Sequence, residues 1–362
     1  MIKSVYIHIP FCKTICSYCD FCKMHYYDKW VLEYLNGLEK EIRNNYKNEI
    51  IDTIYIGGGT PTCLTLEELE KLFNILKIFK TSNKLEYTIE GNIESIDETK
   101  LRLFKSIGIN RLSIGIETFN ENYLKVLNRN HSIKEVKEKI KLMKEIGFTN
   151  INIDLIYALP NQSLEDVKED INEFLKLDIP HISTYSLIIE EHTKLYIDKI
   201  KNIDEDLDLL MYQEINKTLT NNGYHHYEIS NYAKEGFESK HNLTYWNNDE
   251  YYGFGLGAGG YVSNVRYTNT RSFSNYISGK YIVEENVLNE KEIMENALIL
   301  GFRKTKGINI DDFNKKYNTN ILNNNIIKEL IEKRNLINDG SNIYINPDKL
   351  YTSNDILINF ID

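Results

Sequence analysis

Four of the chain's five cysteines are crowded into one short segment near its start. Cys12, Cys16 and Cys19 form a CxxxCxxC pattern, Cys22 follows three residues later, and Cys63 lies elsewhere. Five cysteines in 362 residues are too few and too clustered for a disulfide framework. Neighbouring thiols in a reducing compartment indicate a metal or redox centre. Three closely spaced thiolates suit three corners of an iron–sulfur cubane and leave its fourth iron open.

A structural zinc site or a redox-active thiol is the alternative interpretation of this loop, and the spacing alone leaves both open. Structural zinc is usually held by two separated pairs of ligands, and the sequence contains no second CxxC-type pair. We interpret Cys22 as a neighbouring thiol, because a fourth cysteine ligand would occupy the iron that three cysteines leave open.

The second segment with chemical potential is the GGGTP run at 57–61, which follows a predicted strand at 53–56. Glycines lack a Cβ atom, so their backbone approaches a ligand more closely than that of other residues. The alternative is a tight strand-to-helix turn without a ligand. The run lacks the GK[ST] ending of a phosphate-binding P-loop, which excludes that motif.

Together these motifs resemble the radical S-adenosylmethionine (SAM) superfamily, and more narrowly its oxygen-independent coproporphyrinogen oxidase branch. Within that branch, HNLTYW at 241–246 is similar to the haem chaperone subgroup. The matching motifs are YIHIPFC at 6–12, YCDF at 18–21, GGGTPT at 57–62, IDLIY at 153–157, YEISN at 227–231 and HNLTYW at 241–246.

The resemblance implies a 4Fe-4S cluster on Cys12, Cys16 and Cys19, and S-adenosylmethionine chelated to the open iron. It also implies an electron donor such as flavodoxin or ferredoxin, since a reduced cluster cleaves the sulfonium. The positions that fall on the family's SAM contacts are Tyr6, Tyr18, Gly58, Gly59, Thr60, Glu90, Glu117, Arg129 and Asp154. Glu117 stands where family members usually carry Gln, and it places an additional negative charge near the sulfonium.

Two roles follow from the chemistry of these side chains. A carboxylate at the end of a strand, such as Glu90 or Asp154, is suited to ribose hydroxyls, and Arg129 is suited to bidentate pairing with the methionine carboxylate. Taken singly, each is equally compatible with an ion pair at the rim of a sheet. Their register with the motifs favours the cofactor role.

His241 is the candidate haem ligand, because the resemblance places it at the histidine of the haem chaperone motif. Imidazole is a common ligand of haem iron, and aromatic neighbours such as Tyr245 and Trp246 suit a porphyrin face. A hydrogen-bonded core histidine is the alternative, and the sequence leaves both open.

Three functions are compatible with these residues. The first is a cytosolic haem chaperone that binds haem, the cluster and SAM and delivers haem to acceptor proteins. The second is a coproporphyrinogen III oxidase acting on porphyrinogen propionates, and the third is a structural or redox metalloprotein. HNLTYW favours the chaperone, and so does a cysteine loop that begins at residue 12, because the related oxidases carry a longer N-terminal extension.

The elements that must position these residues alternate along the first half of the chain. Short β-rich runs and amphipathic stretches predict six strand–helix units and hence a parallel sheet. The candidate residues follow the predicted strands, as in barrel enzymes. We therefore predict an α/β fold with a partial (β/α)6 TIM-like barrel and a smaller C-terminal α+β region. The predicted strands are 5–9, 53–56, 86–89, 111–114, 150–156 and 181–187.

The residue pattern divides the chain into three regions, and the composition limits the classes of protein to which the chain can belong. We predict a barrel core at 1–190, a family-specific extension at 191–288 and a small helical, winged-helix-like region at 289–362. The 43 Lys and Arg against 53 Asp and Glu leave a net charge of −10, which argues against a nucleic-acid binder. The sequence has no apolar run long enough for a membrane segment and no secretory signal pattern, so we expect a cytoplasmic protein.

Overall fold

The computed structural model describes residues 1–361, and helices and strands alternate along residues 28–186. The strands are β1 (Ser4–Ile9), β2 (Phe11–Cys12), β3 (Met24–His25), β4 (Ile50–Gly58), β5 (Lys80–Asn92), β6 (Arg111–Glu117), β7 (Asn150–Tyr157), β8 (His181–Ser186), β9 (His225–Glu228), β10 (Asn231–Ala233), β11 (Tyr251–Phe254), β12 (Gly259–Val262), β13 (Val265–Asn269), β14 (Ile282–Val287), β15 (Ile308–Asn309), β16 (Leu336–Asn338) and β17 (Asn342–Ile345). The helices are α1 (Asp28–Asn45), α2 (Leu66–Leu76), α3 (Glu98–Ser106), α4 (Glu121–Val126), α5 (Ile133–Ile146), α6 (Leu164–Leu177), α7 (Lys194–Ile197), α8 (Glu205–Asn221), α9 (Lys240–Trp246), α10 (Phe273–Ile277), α11 (Glu290–Gly301), α12 (Ile310–Tyr317), α13 (Asn325–Glu332) and α14 (Ser353–Leu357).

One twelve-stranded sheet organises the molecule, in the order β14-β13-β12-β11-β1-β4-β5-β6-β7-β8-β10-β9. The strands from β11 to β8 in that order are parallel, and the strands beyond them pair antiparallel. The predicted α/β class with a parallel sheet is therefore confirmed. The sequence predicted six of the parallel strands; the seventh, β11, lies in the extension at 191–288, for which no strand was predicted.

The helices that cross between parallel strands carry clear sequence signals. Thr65 caps α2 by accepting from the backbone N–H of Glu68, and the Glu68 carboxylate accepts in turn from the backbone N–H of Thr65, which forms a capping box. The apolar side chains of α2 recur every three or four residues and are buried against the sheet. The sheet therefore has a dry outer face beneath the helices.

The opposite face of the parallel strands is more polar. In β1, Val5, Ile7 and Ile9 are fully buried among the helices, while Tyr6 and His8 alternate with them. The interior face of β6 carries Arg111, which is 2% exposed. Polar and charged groups thus fill the inside of the curved sheet, where a ligand site can be built.

The C-terminal residues form a smaller unit with its own hydrophobic cluster, drawn from residues 297–360. A three-stranded sheet in the order β15-β17-β16 packs with α11, α12 and α13. Within residues 1–361, no helix has the length and apolar character needed to cross a membrane.

Candidate functional site

A cavity of about 400 Å³ opens at the C-terminal ends of the parallel strands. Its volume lies in the range of small-molecule sites. The sequence-predicted residues that line it are Cys12, Cys16, Tyr18, Cys19, Gly58, Gly59, Thr60, Glu90, Glu117, Arg129 and Asp154. Of the predicted residues, Tyr6 and His241 do not line it.

The cysteine loop is held over the cavity by backbone hydrogen bonds. Met24 N–H donates to the Pro10 carbonyl at 2.8 Å, and Tyr26 N–H donates to the Cys12 carbonyl at 2.9 Å. These bonds pair β2 with β3 and close the loop on itself. The loop is also tied to the rest of the fold, because Ser17 N–H donates to the Leu127 carbonyl at 3.0 Å.

The thiols of this loop are free and partly desolvated. All five cysteines are unpaired. Burial raises the pKa of Cys12 to about 11, although the Thr60 hydroxyl, 3.5 Å from its Sγ, opposes that shift. Since the thiolate is the form that binds metal, a bound cluster must displace this proton.

In the part of the chain that the structure describes, no three or more His, Cys, Asp or Glu side chains converge on the position of a single metal ion. A cubane does not require such convergence, because each cysteine binds a different iron. Cys12, Cys16 and Cys19 line one cavity, whereas Cys22 is outside its lining. The donor set therefore fits a three-cysteine cluster site.

The glycine-rich turn packs directly on the cysteine loop. A Cβ added at Gly59 would lie 2.8 Å from the Phe11 carbonyl oxygen and 3.0 Å from Cys12 Sγ. Gly58 has a φ of +112°, which suits glycine, and its N–H donates to Glu90 Oε2 at 3.0 Å. This turn therefore holds both the first cysteine and a cavity carboxylate, which is more than a strand-to-helix connection requires.

Five carboxyl residues line the cavity, and three of them, Glu90, Glu117 and Asp154, are desolvated there. Burial raises the pKa of Glu90 and of Glu117 to about 7, and it also raises the pKa of Asp154. The cavity lining contains two basic side chains, Arg129 and Lys23, among the described residues. A ligand that brings positive charge into this space relieves the repulsion between the carboxylates.

Glu117 reaches the cavity through an irregular end of β6. The register with β7 shifts between Gly115 and Glu117, and Glu117 has a φ of +70°, which is rare for a residue with a side chain. Its Oε1 lies 3.7 Å from Nη2 of Arg129. Arg129 in turn donates from Nη1 to Cys16 Sγ at 3.5 Å, and its Nε finds no acceptor in residues 1–361.

Tyr6 lies beneath the cavity and contacts the cysteine loop through a second residue. Its hydroxyl is 2.9 Å from His8 Nδ1, and His8 Nε2 is 2.7 Å from the Cys22 carbonyl oxygen. Tyr55 donates to Glu90 Oε1 at 2.6 Å. Sequence reasoning missed both His8 and Tyr55. The sequence signal that could have identified them is alternation along a strand. It places His8 on the same face of β1 as Tyr6, and Tyr55 on the same face of β4 as Gly57.

His241 occupies a closed environment further down the interior. It is 1% exposed, its Nδ1 lies 2.7 Å from Thr53 Oγ1, and its Nε2 lies 2.8 Å from the Tyr245 hydroxyl. Its ring stacks on Tyr55 with centroids 5.1 Å apart. Burial lowers its pKa to about 3. Glu86 accepts from the N–H groups of Lys240 and His241, which fixes the start of α9.

Comparison with known proteins places these features in context. The profile of the Radical SAM superfamily matches residues 6–174. The chain is 38% identical to the heme chaperone HemW of Lactococcus lactis subsp. lactis (strain IL1403), with 99% of this chain and 97% of that relative covered. It is 39% identical to the heme chaperone HemW of Bacillus subtilis (strain 168), with 95% of each covered.

Among solved structures, the coproporphyrinogen III oxidase HemN from Escherichia coli, described as a radical SAM enzyme, has a similar fold. The TM-score is 0.87, with 99% of this chain and 90% of that chain covered. The sequences are 21% identical, so the likeness is one of fold. It extends over the whole chain, including the C-terminal unit.

Proposed function

Because this chain belongs to the HemW family of haem chaperones within the radical SAM superfamily, we propose that it binds haem as cargo and passes it to haem-accepting proteins. The observation that carries the proposal is the similarity to HemW over 99% of the chain. The superfamily profile ends at residue 174, whereas this similarity continues through the segment that contains HNLTYW. The reducing cytoplasm, which keeps five thiols free, is the location that fits this role.

The cavity at the strand ends is the proposed site of a 4Fe-4S cluster and S-adenosylmethionine. Cys12, Cys16 and Cys19 would hold the cluster, and when both groups are bound, a reduced cluster supplies the electron that cleaves the sulfonium. That electron comes from a donor such as flavodoxin or ferredoxin. The open iron follows from the count of three cysteines in the cavity lining.

The remaining cavity residues would bind and orient the amino-acid and ribose groups of SAM. Arg129 has a buried Nε without an acceptor, which suits a carboxylate, and Glu90 and Asp154 offer acceptors to hydroxyl or ammonium groups. The turn at 58–60 gives close access to the backbone, and Tyr18 lines the same space. With five carboxyl residues against two basic ones, the cavity lining favours a cationic cofactor over a neutral one.

His241 is the proposed haem ligand, and its burial defines what haem binding requires. Both ring nitrogens are hydrogen-bonded, to Thr53 and to Tyr245. An iron ligand needs one nitrogen free, so haem binding must break one of these bonds and displace part of α9. Haem would therefore select a minor, opened conformation of the protein.

Anaerobic reconstitution followed by three parallel assays tests this proposal. We expect about four irons per chain, saturable haem binding and no turnover of coproporphyrinogen. Conversion of coproporphyrinogen by the reduced, reconstituted protein would contradict the chaperone assignment and support the oxidase instead. Absence of haem binding by the iron-loaded protein would also contradict it.

A series of cysteine variants tests which thiols hold the cluster. Replacing Cys12, Cys16 or Cys19 by Ala should abolish the proper cluster. The matched control is Cys63→Ala, which removes a buried thiol outside the cavity lining and should retain the iron content of the wild type. Equal iron loss in all four variants would contradict the proposed ligand set.

A further inference from the structure

Arg129 lies between a proposed cluster ligand and a carboxylate, and this arrangement has a consequence for the cluster. Nη1 of Arg129 is 3.5 Å from Cys16 Sγ, while Nη2 is 3.7 Å from Glu117 Oε1. The two side chains of the ion pair are 3% and 7% exposed. A pair so well shielded from water is weakly screened, so its charges act strongly on the neighbouring sulfur.

Several features of the backbone position the two side chains of this ion pair. The left-handed φ of Glu117 and the register shift at the end of β6 direct the Glu117 side chain toward Arg129. Arg129 also donates from Nη2 to the Gly115 carbonyl. A Cβ added at Gly115 would lie 2.8 Å from Glu117 Oε1 and 3.1 Å from Arg129 Nη2. The fold thus leaves just enough space for the ion pair beside Cys16.

The two members of the pair have opposite effects on an electron added to the cluster. A guanidinium N–H directed at a ligand sulfur stabilises the more negative, reduced cluster and raises its reduction potential. A carboxylate beside that guanidinium offsets its positive charge and lowers the potential. At an effective dielectric constant near 20, a unit charge about 12 Å from the added electron contributes roughly a tenfold change in the reduction equilibrium.

We propose that Glu117 sets the reduction potential of the cluster by neutralising Arg129 beside Cys16. Glu117 acts on the cluster through Arg129 and is therefore a positioning residue rather than a ligand. The inference rests on the proposed function only in that the three cysteines must hold a cluster. This role would explain why residue 117 is a carboxylate, because a neutral amide would keep the size of the side chain and one acceptor oxygen but not the charge.

A redox titration of the reconstituted protein at pH 8.5, above the pKa of about 7 that burial gives Glu117, tests this inference; it is monitored by electron paramagnetic resonance without added SAM. Glu117→Gln keeps the acceptor oxygen for Arg129 and removes the charge. We expect reduction to become about tenfold more favourable, an upward shift of about 59 mV for a one-electron couple. Arg129→Gln should shift the potential in the opposite direction, because it removes the N–H donor to Cys16.

The control is Glu228→Gln, which changes a buried carboxylate on β9, at the far end of the sheet, in the same way. Its potential should equal that of the wild type. An unchanged potential in Glu117→Gln at full iron content, or shifts of the same sign in the Glu117 and Arg129 variants, would overturn the inference. Failure of the wild type to take up iron would instead reject the cluster part of the proposed function, and the inference with it.

Discussion

The two ends of the interior of the curved sheet differ in how their polar groups are bonded. At the C-terminal strand ends, charged side chains face an open cavity, and the buried Nε of Arg129 has no acceptor in residues 1–361. Toward the N-terminal ends, His241 has a partner at each ring nitrogen and an aromatic ring stacked on it. The cavity thus contains a hydrogen-bond donor without a protein partner, whereas both ring nitrogens of His241 have one.

This difference indicates how each region would meet a ligand. A cavity whose charged side chains are already fixed in place binds with little rearrangement. A closed hydrogen-bonded network must open first, and the free energy of opening is subtracted from the binding free energy. The proposed SAM site is therefore preorganised, whereas the proposed haem ligand must be released from its hydrogen bonds before it can bind iron.

The largest expected effect comes from filling the preorganised region. Gly59→Ala would place a Cβ 2.8 Å from the Phe11 carbonyl oxygen, a backbone atom that cannot rotate away. We expect a loss of about 3 kcal/mol in unfolding free energy together with reduced iron uptake. Chemical denaturation and iron analysis measure the two effects.

Gly259→Ala is the matched control for that substitution, since a Cβ there meets its nearest neighbour, the Tyr267 carbonyl oxygen, at an ordinary 3.7 Å. It should leave iron uptake at the wild-type value. Normal iron uptake in Gly59→Ala would mean that the turn does not need to lie so close to the cysteine loop.

A smaller effect is expected from the desolvated carboxyl groups of the cavity. Burial raises the pKa of Glu90 from its ordinary 4.5 to about 7. Between these values the folded chain holds a proton that the unfolded chain has lost, so the unfolding free energy falls as pH rises through this window. Glu90→Gln should reduce that fall by about 2 kcal/mol in the metal-free protein.

Denaturation curves at pH 4.5 and pH 8 measure this linkage. Glu70→Gln changes an exposed carboxyl group on α2 and should keep the pH dependence of the wild type. If Glu90→Gln also keeps it, the pKa of Glu90 is the same in the folded and unfolded chain, and the cavity is less desolvated than its geometry indicates.

The smallest expected effect concerns the closed region. Tyr245→Phe removes the hydroxyl that occupies His241 Nε2 and leaves the aromatic ring in place. We expect haem affinity to rise by roughly fivefold, or about 1 kcal/mol, because one hydrogen bond no longer has to be broken. Spectroscopic haem titration measures the change.

Tyr251→Phe serves as its control, because Tyr251 packs edge-on against Tyr245 with centroids 4.6 Å apart and lies one ring further from His241. It should bind haem as the wild type does. An unchanged or weakened haem affinity in Tyr245→Phe would show that freeing His241 does not assist the cargo, and would count against His241 as the ligand.

The sequence predicted most of the open region and little of the closed one. Strand periodicity located the parallel strands, and motif spacing located the residues at their ends, because both signals are local in the chain. Two partners of His241, Thr53 and Glu86, come from distant strands, and no local pattern connects them with it. Tyr245 lies one helical turn away, but that spacing alone does not show that its hydroxyl bonds to the ring. His8 and Tyr55 were missed for the same reason, since hydrogen bonds to Cys22 and Glu90 depend on tertiary contacts.

Strand β11 shows the same limit at the level of the fold. Its four residues include Gly253, and a Cβ there would lie 1.7 Å from the Gly259 carbonyl oxygen. Glycine is unfavourable for strands in general, so propensity argued against a strand at this position. The close approach of two backbones explains the glycine and could be recognised only in three dimensions.

The pairing of β1 with β11 also fixes the order in which the protein can be completed. β1 carries the cysteine loop and is made first, whereas its neighbour on one side, aligned from Ser4 with Tyr251, is made some 250 residues later. Until then the strand beneath the loop has an open edge with unpaired backbone groups. The ribosome must therefore synthesise the chain through β11 before the cysteine loop has its finished support, so the proposed cluster would be assembled only after that strand has been made.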